Sequence, residues 1–387
     1  CSIMSSFDML VDRSGMSTVK QALTPEVIRH GDTISLWGAE FEFPTAPFVV
    51  KAVEGWAAKA LYAYTVEGDD FRELVCDWMA KQRKWQILPD WIVPVYGITA
   101  SLATAMRAFT QEGDGIIALD PVYHMYWHAV ELSGRRKVSS RLLFDGKRYE
   151  INWADLEEKM AAEQNKILVL CNPHNPIAKV YPREDLRRIC ALAAENDVIV
   201  FNDEIFAECI YDGVEMPCFD EDVTGRAKTI SATSLGKWLS FTGTNQANLI
   251  IPDSATRKAF LAERDREFYG SMNPMMIPAY RAAYTEEGRL WLREMMAYVQ
   301  DNYRLVDRFF LENTPKFHAI HPEGSFVLWV DASAFCNDTK KLEDFMINEA
   351  HFHMDIGTTY NGDPGFFRMT LSVPRAELKK ILLSPYS

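Results

Sequence analysis

The sequence contains no apolar run of the roughly eighteen residues needed to cross a bilayer. Its N-terminal CSIMSSFDMLVDRSG carries acids and lacks an apolar core followed by a small-residue cleavage site, so neither export nor membrane insertion is expected. A soluble, cytoplasmic protein is the expectation. Cysteine is sparse: Cys1, Cys76, Cys171, Cys190, Cys209, Cys218 and Cys336 form no CxxC pair, and seven is an odd number. That argues against a disulfide frame and for reduced thiols. The eight histidines include no HExxH or similar helical pair. His351 and His353 could share a strand face, but no metal is expected. An excess of basic charge is missing too, since 41 Lys and Arg stand against 54 Asp and Glu, interspersed, for a net charge of −13. A phosphate-tracking basic stripe, and with it nucleic acid as a partner, is not expected. There is no internal repeat and no low-complexity tract.

What is present is enough apolar residue, 48% of the 387, to bury a large core, in a chain too long for one simple domain. From about residue 90, strand-length apolar runs (WIVPVYG, GDGIIALD, KILVLCNP, VIVFNDEIF, AKTISATS, ANLIIPD) alternate with helix-period segments. That rhythm predicts an α/β sheet covered on both faces. Pro182 with Glu184 and Asp185 opens a helix whose core-facing residues are Leu186, Ile189, Leu192 and Ala193. Arg289 to Asn313 reads as one long helix, and beyond it PEGSFVLWVDAS and GFFRMTLSV read as strands around the helical LEDFMINEA. This tail predicts a smaller α+β unit. Between residues 10 and 90 lie an irregular arm and two helices, near PFVVKAVEGWAAKAL and DFRELVCDWMAKQR.

Four places carry chemistry. Asp203 stands after an apolar strand, at the carboxyl end where ligands of such sheets collect. Lys237 follows a strand and the small polar stretch Ser231, Thr233, Ser234, Gly236; an amine desolvated there titrates low enough to attack carbonyls. In LVLCNPHNP, two Asn-Pro steps force an extended turn that fixes the Asn175 amide. VYGITASL turns a strand into a helix through Gly97, Ile98 and Thr99, and a helix N-terminus binds anions. Taken singly, each has an ordinary structural explanation, from a strand-end cap to a solvated lysine.

Their order along the chain, with the aromatic PVYH between the helix start and the Asn turn, resembles that of fold-type-I pyridoxal-phosphate enzymes. Within them it is similar to the MalY/PatB-like cystathionine β-lyase, or carbon–sulfur lyase, group of the class I and II aminotransferase superfamily. The resemblance runs from VDRSGMSTVKQ and LWGAEFEFPTAP through LYAYT, NDEIFAE and GKWLSFTG to HPEGSFVLWVD and GFFRMTLSVPRAEL. It implies an aspartate-aminotransferase-like large domain over 48–285 with a mostly parallel mixed sheet, and a small domain of 1–47 with 286–387. It implies pyridoxal 5'-phosphate in a Schiff base on Lys237, which also moves the α-proton. Asp203 would pair with the ring nitrogen, Asn175 bond the ring O3′ and Tyr123 stack on the ring. Gly97, Ile98, Thr99 and Ser234 would hold the phosphate. Arg368 would clamp the α-carboxylate of an amino-acid substrate, with Trp37 and Gly38 beside it, and Tyr64 would reach the cofactor of a second subunit in a homodimer.

The chain departs from the family in places. Phe206 stands where a histidine is usual, removing a polar contact near O3′; Gly236 replaces serine and Trp238 a small residue, which suggests a remodelled pocket around Lys237. Gly38 and Glu40 alter the arm at the substrate entrance. The resemblance implies β-elimination, and these changes point to a specialised S-substituted cysteine as its substrate. Transamination uses the same lysine, aspartate and arginine, and the sequence does not choose between the two. A regulatory protein on this fold is a third reading, which the retention of Lys237, Asp203, Asn175 and Arg368 disfavours.

Overall fold

The computed structural model describes residues 5–29 and 31–382. Its larger sheet has seven strands: β1 (Ile92–Val95), β2 (Gly115–Ala118), β3 (Arg136–Ser139), β4 (Asn165–Cys171), β5 (Ile199–Asp203), β6 (Thr229–Thr233) and β7 (Ala247–Ile250). They lie in the order β1-β7-β6-β5-β4-β2-β3. All neighbours are parallel except β7, which is antiparallel to both β1 and β6. Alternate residues of the central strands enter different cores. Ile117, Leu168, Leu170 and Val200 face one cluster. Ile116, Ile167, Val169, Ile199 and Phe201 face the other. Burial on both faces is why these strands read as unbroken apolar runs rather than alternating ones.

A second sheet, β8 (His318–Ala319), β9 (Val327–Asp331), β10 (Asp355–Ile356) and β11 (Phe366–Thr370), is antiparallel throughout, in the order β8-β9-β11-β10. The 28-residue helix Glu286–Asn313 precedes it. That helix starts three residues before the apolar periodicity suggests, because the Thr285 hydroxyl accepts the Gly288 N–H at 3.0 Å and Glu286 and Glu287 meet the positive end of the helix dipole. The helix opened by Pro182 runs Arg183–Glu195, as its sequence predicts.

The arm lies along the second sheet. Leu36 N–H donates to the His353 carbonyl at 2.8 Å and the Leu36 carbonyl accepts from Thr370 N–H at 3.0 Å, which carries Trp37 to Glu40 toward the carboxyl ends of the first sheet. The site forms where the arm, the edge of the second sheet and those strand ends converge.

Candidate active site

A cavity of about 540 Å³ opens at this convergence. Eleven of the twelve residues singled out from the sequence line it: Trp37, Gly38, Gly97, Ile98, Thr99, Tyr123, Asn175, Asp203, Ser234, Lys237 and Arg368. Tyr64 is apart from them, 98% exposed on a segment with Leu61, Tyr62 and Val66 also exposed.

Adjacent parallel strands put the charged groups here. Asp203 ends β5 beside Cys171 of β4 and Ala232 of β6, and the turn after β6 delivers Lys237. The buried Asp203 carboxylate accepts the Ile205 N–H at Oδ1, 3.0 Å, and a close hydrogen bond from the Tyr126 hydroxyl at Oδ2. Desolvation outweighs these donors and pushes its pKa up to about 6. Lys237 Nζ donates to the Ala39 carbonyl of the arm at 2.8 Å. Burial first, then the Arg368 charge, lower its pKa to about 8, against the pull of Glu40, Asp203 and Asp355.

Arg368 lies in β11 directly opposite Asp355 of β10. Its Nε and one terminal nitrogen donate to Asp355 Oδ2 at 3.3 and 3.0 Å, the other terminal nitrogen donates to Asn175 Oδ1 at 2.8 Å, and the Tyr360 ring lies 4.8 Å away. Three of five N–H groups are thus engaged, leaving one on each terminal nitrogen for a carboxylate. Because the Asn175 oxygen is taken by Arg368, its Nδ2 is the end left to donate to a ligand. Asp355 also accepts the Gly38 N–H at 2.9 Å; Gly38 has φ of +84°, a turn that favours glycine and ties the arm to the arginine.

At the other side of the cavity Gly97, with φ of +114°, precedes the helix Ile98–Phe109, whose first turn has no side-chain cap. Its open N–H groups suit an anion. Ser234 lines the cavity, but its Oγ donates to the Gln246 carbonyl at 2.8 Å and accepts the Gly236 N–H at 2.9 Å. It reaches a phosphate only by giving up Gln246.

One expectation changes. Trp238 does not remodel the pocket, because it is fully buried outside the lining and stacked on Trp78. Phe206 does line the cavity, its ring 5.8 Å from Lys237 Nζ, and packs edge-on against Phe326. The sequence reading missed Tyr126 and Asp355. Tyr126 stands one helical turn after Tyr123, the spacing that could have flagged it. Among the described residues no group of three or more His, Cys, Asp or Glu could hold a metal; His353 Nδ1 lies 3.0 Å from Ser35 Oγ and its ring is parallel to Trp37.

The pyridoxal phosphate implied by the sequence resemblance fits these residues. An uncapped helix turn stands ready for the phosphate and a partly buried amine for the aldehyde. The decisive fit is Asp203, a buried carboxylate that makes no ion pair within the described residues and so lacks the cation a protonated ring nitrogen would bring.

Residues 41–383 match the aminotransferase class I and II family. The cystathionine beta-lyase PatB of Bacillus subtilis (strain 168) is 30% identical over 378 residues, covering 97% of each chain. Cystalysin from Treponema denticola, whose crystal structure contains a pyridoxal 5'-phosphate cofactor, has a TM-score of 0.91 at 28% identity over 98% of this chain and 97% of that one. The pyridoxal-phosphate-bound C-S lyase from Staphylococcus hominis, complexed with the inhibitor L-cycloserine, has a TM-score of 0.90 at 25% identity over 99% and 98%.

Proposed function

Because the chain belongs to the class I and II aminotransferase family, we propose that it is a pyridoxal-phosphate carbon–sulfur β-lyase. It takes an S-substituted cysteine and water to pyruvate, ammonia and a thiol. The observation that carries this reading is the meeting of the Lys237 amine, the Asp203 carboxylate and the Arg368 guanidinium in one cavity. Bound there, pyridoxal phosphate supplies the electron sink that makes the substrate Cα–H acidic.

The protein's own groups do the rest. Arg368 takes the substrate α-carboxylate on its two remaining N–H groups, and Asp355 fixes the guanidinium plane from behind. That orientation sets the Cα–H toward Lys237, whose amine, with its pKa near 8, is available as a base close to neutral pH. As a carboxylate Asp203 would hold a proton on the ring nitrogen, whose positive charge would offset the burial that raises the aspartate's pKa. The Asn175 Nδ2 would donate to the ring oxygen, Tyr123 would pack on the ring, and the turn at Gly97, Ile98 and Thr99 would hold the phosphate.

We also read residues 48–285 as the large domain and 1–47 with 286–387 as the small one, and the protein as a cytoplasmic homodimer. The exposed run Leu61, Tyr62, Tyr64 and Val66 supports a second copy covering that surface with Tyr64 at the neighbouring site. The six described cysteines are free, and no described helix is long and apolar enough to cross a membrane.

The test is a product assay on the cofactor-loaded protein with a panel of S-substituted cysteines and ordinary amino acids. Pyruvate and thiol from the former are expected. Pyridoxamine phosphate accumulating without pyruvate would make it an aminotransferase. Cystathionine turnover as fast as that of the best panel member would remove the case for a specialised substrate.

A further inference from the structure

Trp238, next to Lys237, points away from the cavity into a buried stack. Its indole lies parallel to Trp78, with ring centroids 5.3 Å apart and 10° between planes. Trp78 is in turn stacked on Tyr284 at 4.5 Å and 2°. The Trp78 Nε1–H donates to Glu208 Oε1 at 3.3 Å. Glu208 shares its surroundings with Glu204 and with a single cation, Arg83, and these three residues are 4%, 2% and 6% exposed.

The two acids are not equivalent. Glu204 accepts from the Arg83 guanidinium and from Asn202 Nδ2 at 2.9 Å. Among the described residues the one side chain that donates to Glu208 is Trp78, and the Glu208 Oε2 is buried with no partner. One guanidinium offsets one carboxylate. A second carboxylate, ionised at this depth and with an oxygen lacking any donor, would be an uncompensated buried charge, and buried acids in that position take up a proton instead. The other groups facing Glu208 do not alter the count. They are Cys209 in its own segment, and Tyr280 and Tyr284 from the segment 276–284, and burial raises the pKa of each, which keeps them neutral.

We propose that Glu208 is an uncharged carboxylic acid that orients Trp78, and that the Glu208–Trp78–Trp238 series is the positioning element for the backbone carrying Lys237. Arg83 and Glu204 form the one ion pair of the cluster. Trp238 is then a wedge behind the lysine rather than part of the substrate pocket, and flat ring contacts with almost no tilt transmit its position to Lys237.

The experiment combines thermal unfolding across pH with a pH titration of the lysine-bound cofactor's visible absorbance. The second readout rests on the pyridoxal-phosphate reading; the first does not. An acid kept protonated in the folded state contributes stability below its unfolded pKa that is lost as pH rises, and glutamine does not titrate. Glu208→Gln is therefore expected to unfold at a higher temperature than wild type at pH 8, by a margin that shrinks toward pH 5. A Glu208→Gln protein less stable than wild type at both pH values would mean that Glu208 is ionised and would overturn the proposal. Trp78→Phe keeps an aromatic ring in the stack and removes the pyrrole part of the indole with its N–H; it is expected to shift the midpoint of the absorbance titration and to lower kcat with KM unchanged. Trp238→Leu should shift that midpoint further. An unmoved midpoint in Trp78→Phe overturns the positioning role, whether or not the leucine variant folds. Absence of any lysine-bound absorbance in wild type refutes the cofactor reading instead, and leaves the unfolding comparison to decide the state of Glu208.

Discussion

Asp203 and Glu204 are neighbours at the end of one strand, both buried, and they are charged on opposite terms. Asp203 faces the cavity, where a hydroxyl and a backbone N–H are its donors and no cation among the described residues forms an ion pair with it. Glu204 faces the other way, onto Arg83 and Asn202, in a closed ion pair. The difference teaches where function sits on such a strand: the scaffold satisfies its own charge, whereas the site leaves a charge for a ligand to complete.

Five substitutions sharpen or break that contrast. On the cavity side, Lys237→Ala removes the base, and kcat/KM should fall by at least about 100-fold with the fold intact; unchanged turnover would remove Lys237 from the reaction. On the scaffold side, Arg83→Met strands the buried Glu204 carboxylate and should cost about 3–5 kcal/mol in denaturant unfolding, whereas a loss below about 1 kcal/mol would mean that the pair is not closed.

Asp203→Asn tests the unfinished charge directly. The aspartate is held at about 6 against an ordinary 3.8, so its stability contribution is present below the ordinary value and lost as pH rises toward 6. Asparagine should therefore stabilise the cofactor-free chain by up to about 3 kcal/mol at neutral pH and by nothing in strong acid, while weakening cofactor binding. Glu204→Gln, by contrast, should destabilise the cofactor-free chain. The smallest effect is expected for Tyr126→Phe, which removes one donor from Asp203. It should weaken cofactor binding by about 1.5 kcal/mol in an equilibrium titration, and no change would make the hydroxyl dispensable.

The parts legible in sequence are those where one local signal fixes both structure and site. An apolar strand ending in Asp203, a Gly97 turn into a helix and the Asn-Pro steps around Asn175 each declare their position in a few residues. Arg368 was visible through its resemblance, but Asp355, its partner, lies on a two-residue strand too short to show alternation, and only the pairing of β10 with β11 brings it across. Tyr126 goes unmarked in the sequence because its role depends on Asp203, 77 residues away. Trp238 was misplaced for a related reason: a large side chain beside a catalytic lysine looks like pocket until its direction is known. The Arg83 cluster had no local signature, since its members come from a helix end and a strand end 121 residues apart.

The central claim, carbon–sulfur cleavage in the cavity of Lys237, is tested most directly by following one S-alkyl cysteine to its products with wild type and Lys237→Ala side by side. The expected result is pyruvate and thiol in equal amounts from wild type, with the pyridoxal form of the cofactor retained, and neither product from the variant. Conversion of the cofactor to its pyridoxamine form with no thiol released, or equal product from both proteins, would contradict it.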